Sequence, residues 1–340
     1  MESKETQGSN LQKRAYYTLN GYFSEHEDDV VEIEMLPPQM KPDDGALILH
    51  EGRNLGIPKD VLVMAFLHAR QLFFVGYRDI ASTVSLNASG IVLLSDPEHL
   101  TAAHFRKRRL LHLSDTEAFE QLLNREHNFL NSVLTSPLHR QSKSPTLWYH
   151  RLWVSDLLLP FKLLETSRDQ FLSFIRSELD AVFKAGGHHP KNYYAWQYAR
   201  RLFVKVDAVY QKDEAHLWKS AYPAFLVTCA LLVKSWCLKH TSDISGWMFL
   251  LFLLPRLQSV PRRRRIVGEV LEWAMKVQSE QESLWVFLRY ALADTTLLQD
   301  ERDPVLQQLL KYQKEQVDGK PSDRISMKAT AWIETHVSPM

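Results

Sequence analysis

The stretch KNYYAWQYARRLF, Lys191–Phe203, sets a lysine and a helix-capping asparagine ahead of a tryptophan and then runs on at helical spacing. Trp196, Ala199 and Phe203 recur at intervals of three and four residues, which places them on one face of a helix. Asn192 is the residue type that caps such a helix, because its side-chain oxygen can accept from an unpaired backbone N–H of the first turn. The same plan recurs along the chain. An aromatic residue opens a helical run at Phe105, Trp148, Trp196, Trp247 and Trp285, each with a small or polar residue a few positions ahead. A spacing of roughly 40 to 50 residues is that of helical-hairpin repeats. A two-helix hairpin cannot bury its own apolar face, so one large aromatic per unit packs between neighbours. The pattern predicts an all-α fold, a crescent-shaped α-solenoid of helical hairpins.

Composition agrees with that expectation. The chain has 340 residues, of which 45% are hydrophobic and only 12 are glycine, which disfavours a turn-rich β architecture. Residues 1–57 read as a polar, largely irregular lead-in, with the first 28 or so disordered and Pro37, Pro38 and Pro42 breaking the rest. Residues 58–340 read as the repeat domain. Turn signals at Ser95-Asp96-Pro97, Ser136-Pro137, Gly186-Gly187 and Ser242-Asp243 separate helix-length blocks.

Lysine and arginine (41) balance aspartate and glutamate (40), so no global field selects nucleic acid or an anionic membrane. Aromatic residues do not interleave with basic ones on a sheet, which argues further against nucleic acid. The segments Tyr222 to Leu238 and Trp247 to Leu254 are interrupted by Lys234 or too short to span a bilayer, and read as core helices. Cys229 and Cys237 lie eight residues apart in one helical run, too far for a disulfide, and are expected to be buried thiols in a reducing compartment. The polar N-terminus has no apolar signal core, and cytosolic residence is the expectation. His188 and His189 are adjacent on a turn and point apart, without a cysteine or carboxylate cluster, so metal binding is not expected there. The run Arg262 to Arg265 reads as a solvated helix start, a phosphate-binding or localisation patch, or a docking surface.

The block Lys-Asn-Tyr-x-x-Trp at Lys191–Trp196, with Arg200 close to the motif's arginine, and the block Lys143-Ser-Pro-Thr-Leu-Trp148-Tyr-His150-Arg151 resemble the repeats of the protein prenyltransferase alpha subunits. With Asn54 to Ile57 upstream and Ser242 to Gly246 downstream, the chain is most similar to the branch described as prenyltransferase alpha subunit repeat-containing. The resemblance implies a heterodimer with a beta subunit that carries the zinc ion, with no cofactor held by this chain. It implies transfer of an isoprenoid, geranylgeranyl in the branch resembled, from its diphosphate to a cysteine of a protein substrate. By family register Lys143 and Tyr193 would reach the diphosphate, with Lys191 and Tyr194 lining the same anion site. Arg108, Arg151 and His150 would lie on the face that meets the beta subunit. The chemistry favours such residues: charge grows on the departing diphosphate, and a fixed ammonium stabilises it most in the transition state. Lysines at helix N-termini are electrostatically unfavourable there, which an anion between Lys143 and Lys191 would offset. The motif's arginine is Ala199, Leu250 and Leu288 in the later blocks. That departure keeps open a second reading, a helical-repeat adaptor without transfer activity that presents a surface such as Arg262 to Arg265.

Overall fold

The computed structural model describes residues 2–40, 42, 45–164, 168–212, 217–315 and 321–336. Among these are sixteen helices and three short strands, so the fold is all-α as the periodicity predicts. The chain divides into two compact units, Met1–Glu165 with Glu178–Leu202, and Thr166–Ser177 with Phe203–Met340.

The first unit begins with α1 (Glu2–Glu25). An irregular lead-in was the expectation for this segment, and the structure differs for an identifiable reason. Ala15, Tyr16, Leu19 and Tyr22 fall at helical spacing on an otherwise polar helix, and all four are buried. That narrow stripe is enough to seat the helix, although the segment's mean composition resembles a disordered one. Residues 32–58 are likewise ordered, as β1 (Glu32–Leu36), β2 (Leu49–Glu51) and β3 (Asn54–Pro58). β3 lies between the other two, parallel to β1 with Ile33 beside Leu55, and antiparallel to β2. The expected motif Asn54 to Ile57 is the central strand, and Leu55 and Ile57 are buried. Val31 N–H donates to Ser132 Oγ at 2.7 Å, which ties the sheet to the helices that follow.

Those helices are α2 (Lys59–Gly76), α3 (Thr83–Ser95), α4 (Leu100–His112), α5 (Phe119–Leu134), the single turn α6 (His139–Ser142), α7 (Pro145–Leu164), α8 (Arg168–His188) and α9 (Tyr193–Gln211). α2 packs on α1 and α3, and α5 packs on α7. Gly186, Gly187 and His188 lie inside α8, not in a turn as the glycine pair suggested. The last turns of α8 tolerate glycine because Ala185 and Val182 before it are buried and hold the helix in place.

The second unit takes the start of α8, up to Ser177, and the end of α9, from Phe203, and continues with α10 (Tyr222–Lys239), α11 (Ile244–Leu253), α12 (Val260–Lys276), α13 (Glu282–Ala293), α14 (Thr295–Leu298), α15 (Arg302–Glu315) and α16 (Pro321–His336). α10 is, among the described residues, the one helix long and apolar enough to cross a membrane. Its Leu226, Cys229, Ala230, Val233 and Cys237 are buried within the unit, and both cysteines are free thiols as expected.

The caps define the repeat register. Ser144 Oγ accepts from Leu147 N–H, Asn192 Oδ1 from Ala195 N–H, and Asp243 Oδ1 from Gly246 N–H. Four residues after each cap stand Trp148, Trp196 and Trp247, all buried. The first repeat is capped by His99, whose Nδ1 accepts from Ala102 N–H. Four residues on from His99 stands Ala103, and seven on stands Arg106. The register predicted from Phe105 and Arg108 is therefore two residues late. Phe105 is buried against Phe73, with ring centroids 5.7 Å apart, from a different turn of the face.

Candidate functional site

The tryptophans are held by more than shape. Trp148 Nε1 donates to Ser142 O at 2.8 Å, Trp247 Nε1 to Thr241 O at 2.9 Å and Trp285 Nε1 to Ser279 O at 2.8 Å. In each case the acceptor is the carbonyl six residues earlier, in the turn ahead of the helix. A buried indole needs such a partner, and the turn gains a fixed position in return.

The equivalent carbonyl of the third repeat is Pro190 O, and it accepts from Lys143 Nζ at 3.2 Å. This contact brings together two turns from successive repeats. Asn192, wholly buried, strengthens it: its Nδ2 donates to Ser142 O at 2.9 Å, beside the Trp148 indole. Lys191 sits at φ 60°, in the left-handed region that a non-glycine residue adopts only where its surroundings hold it. Its carbonyl accepts from Tyr193 N–H at 2.9 Å. Tyr193 then projects into solvent, 59% exposed, with Tyr194 edge-on to it at 5.4 Å. Tyr194 is half-buried. Lys143, Lys191, Tyr193 and Tyr194 thus belong to one pair of adjoining turns, with the Lys143 ammonium fixed on the turn that leads to Tyr193.

The side chains of Arg151 and His150 are not exposed on the surface of this chain. Both are fully buried within the first unit, where an interface role would have them exposed. Arg151 holds Glu178 through two hydrogen bonds, Nε to Oε2 at 2.9 Å and Nη2 to Oε1 at 3.0 Å, and Nη1 donates to Asn131 Oδ1 at 3.2 Å. Tyr198 O–H donates to the same carboxylate, and His127 Nε2 lies 2.8 Å from it. Arg106 makes the matching pair with Glu126, at 2.9 and 2.6 Å, and His150 Nε2 lies 3.3 Å from Glu126. Two buried Arg–Glu–His groups therefore stand side by side in consecutive hairpins. Burial works to raise both glutamates, but Arg151 holds Glu178 well below the usual carboxylate range, and Arg106 lowers Glu126. Burial drives His150 down to about 3 and lowers His127 as well, so both imidazoles are neutral at pH 7. Arg108 is the exposed residue of the three predicted for the interface.

Glu126, Glu178 and Tyr198 escaped the sequence reading. A signal existed: Glu178 lies on the apolar stripe of α8 with Ile175 and Val182, where a charge needs a buried partner. The basic run of α12 is largely consumed at home. Arg263 donates to Leu257 O and Leu297 O, Arg264 pairs with Glu301 at 2.9 Å, and Arg265 lies 3.7 Å from Glu269. His189 Nε2 approaches Pro137 O at 2.9 Å, which explains its place without a metal. Among the described residues, no group of three or more His, Cys, Asp or Glu is placed to hold a metal ion.

Capped hairpins, a tryptophan in register and an indole bond back to the preceding turn define an α-helical repeat protein. Comparison with known proteins makes this more specific. The ECM9 middle domain family matches residues 147–269, from the first turn of α7 through α8, α9, α10 and α11 into α12. The chain is also similar to protein prenyltransferase alpha subunit repeat-containing protein 1 of Homo sapiens, at 27% identity over 251 residues. That match covers 67% of this chain and 54% of the human protein, so the chain spans about half the length of that relative. The resemblance read from the Trp148 and Trp196 blocks is borne out by this relative.

Proposed function

We propose that the chain is the alpha-type subunit of a heterodimeric protein prenyltransferase, acting with a beta subunit to transfer an isoprenoid, geranylgeranyl in the resembled branch, to a cysteine. The observation that carries this reading is the Lys143 Nζ contact with Pro190 O, which places an ammonium on the turn that leads to Tyr193. In the reaction a C–S bond forms between the substrate thiolate and the first carbon of the isoprenoid, while the C–O bond to diphosphate breaks and its electron pair leaves on oxygen. Lys143 keeps donors free beyond the one on Pro190 O and offers them to the departing diphosphate. The exposed Tyr193 hydroxyl donates to the same group, with Lys191 and Tyr194 at its edge. Asn192 keeps the two turns in register, so the site needs little reorganisation when the lipid binds. Zinc belongs to the expected beta subunit, and no step assigned to this chain passes through it. Cytoplasmic residence and a cysteine-containing protein acceptor complete the reading.

A second reading, a helical-repeat scaffold without transfer, is favoured by the burial of Arg151 and His150, which removes them from any partner face. The replacement of the motif's arginine by buried Ala199, Leu250 and Leu288 points the same way. Co-expression of the full chain with prenyltransferase beta subunits separates the two. Stable one-to-one association on size exclusion, with zinc in the complex, supports the enzyme subunit. Failure of every beta subunit to associate supports the scaffold.

A further inference from the structure

The cavity between α1, α3, α4 and α5 in the first unit plays no part in the transfer reading. It encloses about 390 Å³, a volume at which pockets hold small molecules. Phe23, Leu86, Leu110, Leu122 and Phe129 supply largely apolar walls. Three guanidiniums also line it, and their charges are not equally matched. Arg106 is paired with Glu126, while Arg125 is paired with Glu27 and Asp28. Arg109 donates one hydrogen bond, from Nη1 to Ile80 O at 2.9 Å, and forms no ion pair with a carboxylate among the described residues. Burial and the neighbouring Arg106 both lower its pKa and Asp79 offsets this only in part, so the cation stands partly desolvated with no carboxylate in ion-pair contact among the described residues. A guanidinium in that state, beside apolar walls, is complementary to an anion that carries a hydrocarbon body.

We infer that this cavity binds a small monoacidic amphiphile, its hydrocarbon part against Phe23 and Phe129 and its anionic group on Arg109. The inference is independent of prenyl transfer, since none of the residues proposed for the diphosphate lines the cavity. Carboxylate and phosphate heads share the required chemistry, and titration distinguishes them.

The test is isothermal titration of the full chain with dodecanoate, dodecyl phosphate and 1-dodecanol, each below its micellar concentration. Saturable one-to-one binding of at least one acid is expected, and the tighter of the two assigns the head group. Arg109→Met should weaken that acid by about tenfold, the scale of one charged hydrogen bond, while leaving dodecanol binding unchanged. Unchanged dodecanol binding also shows that the cavity is intact in the variant. Asn87→Trp places a bulky ring at an exposed rim position, where folding tolerates it, and should abolish binding of all three. Absence of saturable binding to the wild-type chain, equal affinity of Arg109→Met for the acid, or full binding by Asn87→Trp would each overturn the assignment.

Discussion

Arg151 and Glu178 face each other through two parallel hydrogen bonds of 2.9 and 3.0 Å, with neither side chain open to solvent. The pair joins the first helix of the second hairpin to its second helix, and Arg106 with Glu126 does the same in the first hairpin. Removing one member strands the other charge in a dry interior, so Glu178→Leu alone should cost about 3–5 kcal/mol. Joint replacement, Arg151→Met with Glu178→Leu, should recover most of that loss, since an apolar pair of similar volume avoids both desolvation costs. Urea unfolding midpoints of the two variants decide this, and a double variant no more stable than the single one would count against it.

The same network sets an acid limit on stability. His150, at about 3, and His127 have folded pKa values below their ordinary 6.5, so the unfolded chain binds protons first as pH falls. Their contribution is complete above about pH 6.5 and is lost progressively below it; for His150, held neutral down to about 3, the loss is ~1.4 kcal/mol per pH unit. Glu126 and Glu178, lowered below the usual 4.5, add a second loss as pH falls through that value. Unfolding free energy should be flat from pH 7 to 8 and fall below 6.5. His150→Leu should flatten the limb between 6.5 and 5; a variant with the wild-type slope there would remove His150 from the account.

The indole bonds predict a cost that is independent of repeat. Trp247→Phe and Trp285→Phe each leave a turn carbonyl, Thr241 O or Ser279 O, without its donor. Each should lower stability by about 1–3 kcal/mol, the scale of one unsatisfied buried group. Thermal unfolding of both variants provides the check, and an unchanged midpoint in both would show the bonds to be incidental.

Most of the helical architecture was legible because tryptophans in register, caps and apolar periodicity are local signals. Ser144, Asn192 and Asp243 can be read as caps from their residue types alone. The first repeat reads two residues late from sequence because its aromatic position is Ala103 and its cap is a histidine, which leaves Phe105 as the nearest aromatic. α1 was missed because four buried residues on a polar helix barely change its composition. The Arg–Glu–His groups were illegible as pairs, since residues such as Arg151 and Glu178 meet only when two hairpin arms close. For the same reason Arg151 and His150 read as surface residues. Lys143 and Tyr193 were singled out by register, and their common turn depends on Asn192 reaching back to Ser142, a contact between repeats that no local pattern specifies.

Tyr193 is exposed and makes its ring contact with Tyr194, so Tyr193→Phe should leave stability within about 0.5 kcal/mol of wild type. In the complex with a beta subunit it should slow transfer by about tenfold, the loss of one hydrogen bond to a charged group. Single-turnover kinetics at saturating lipid reads this directly, and an unchanged rate would leave Tyr193 outside the site.

The central claim concerns Lys143. Its most direct test is the rate of thioether formation on a cysteine-containing protein by the full chain purified with a prenyltransferase beta subunit, wild type against Lys143→Ala. A drop of about 10²–10³-fold in the chemical step is expected with the complex still assembled, as for removal of one preorganised charge from a transition state. An assembled complex that transfers the lipid at the wild-type rate without the Lys143 ammonium would contradict it.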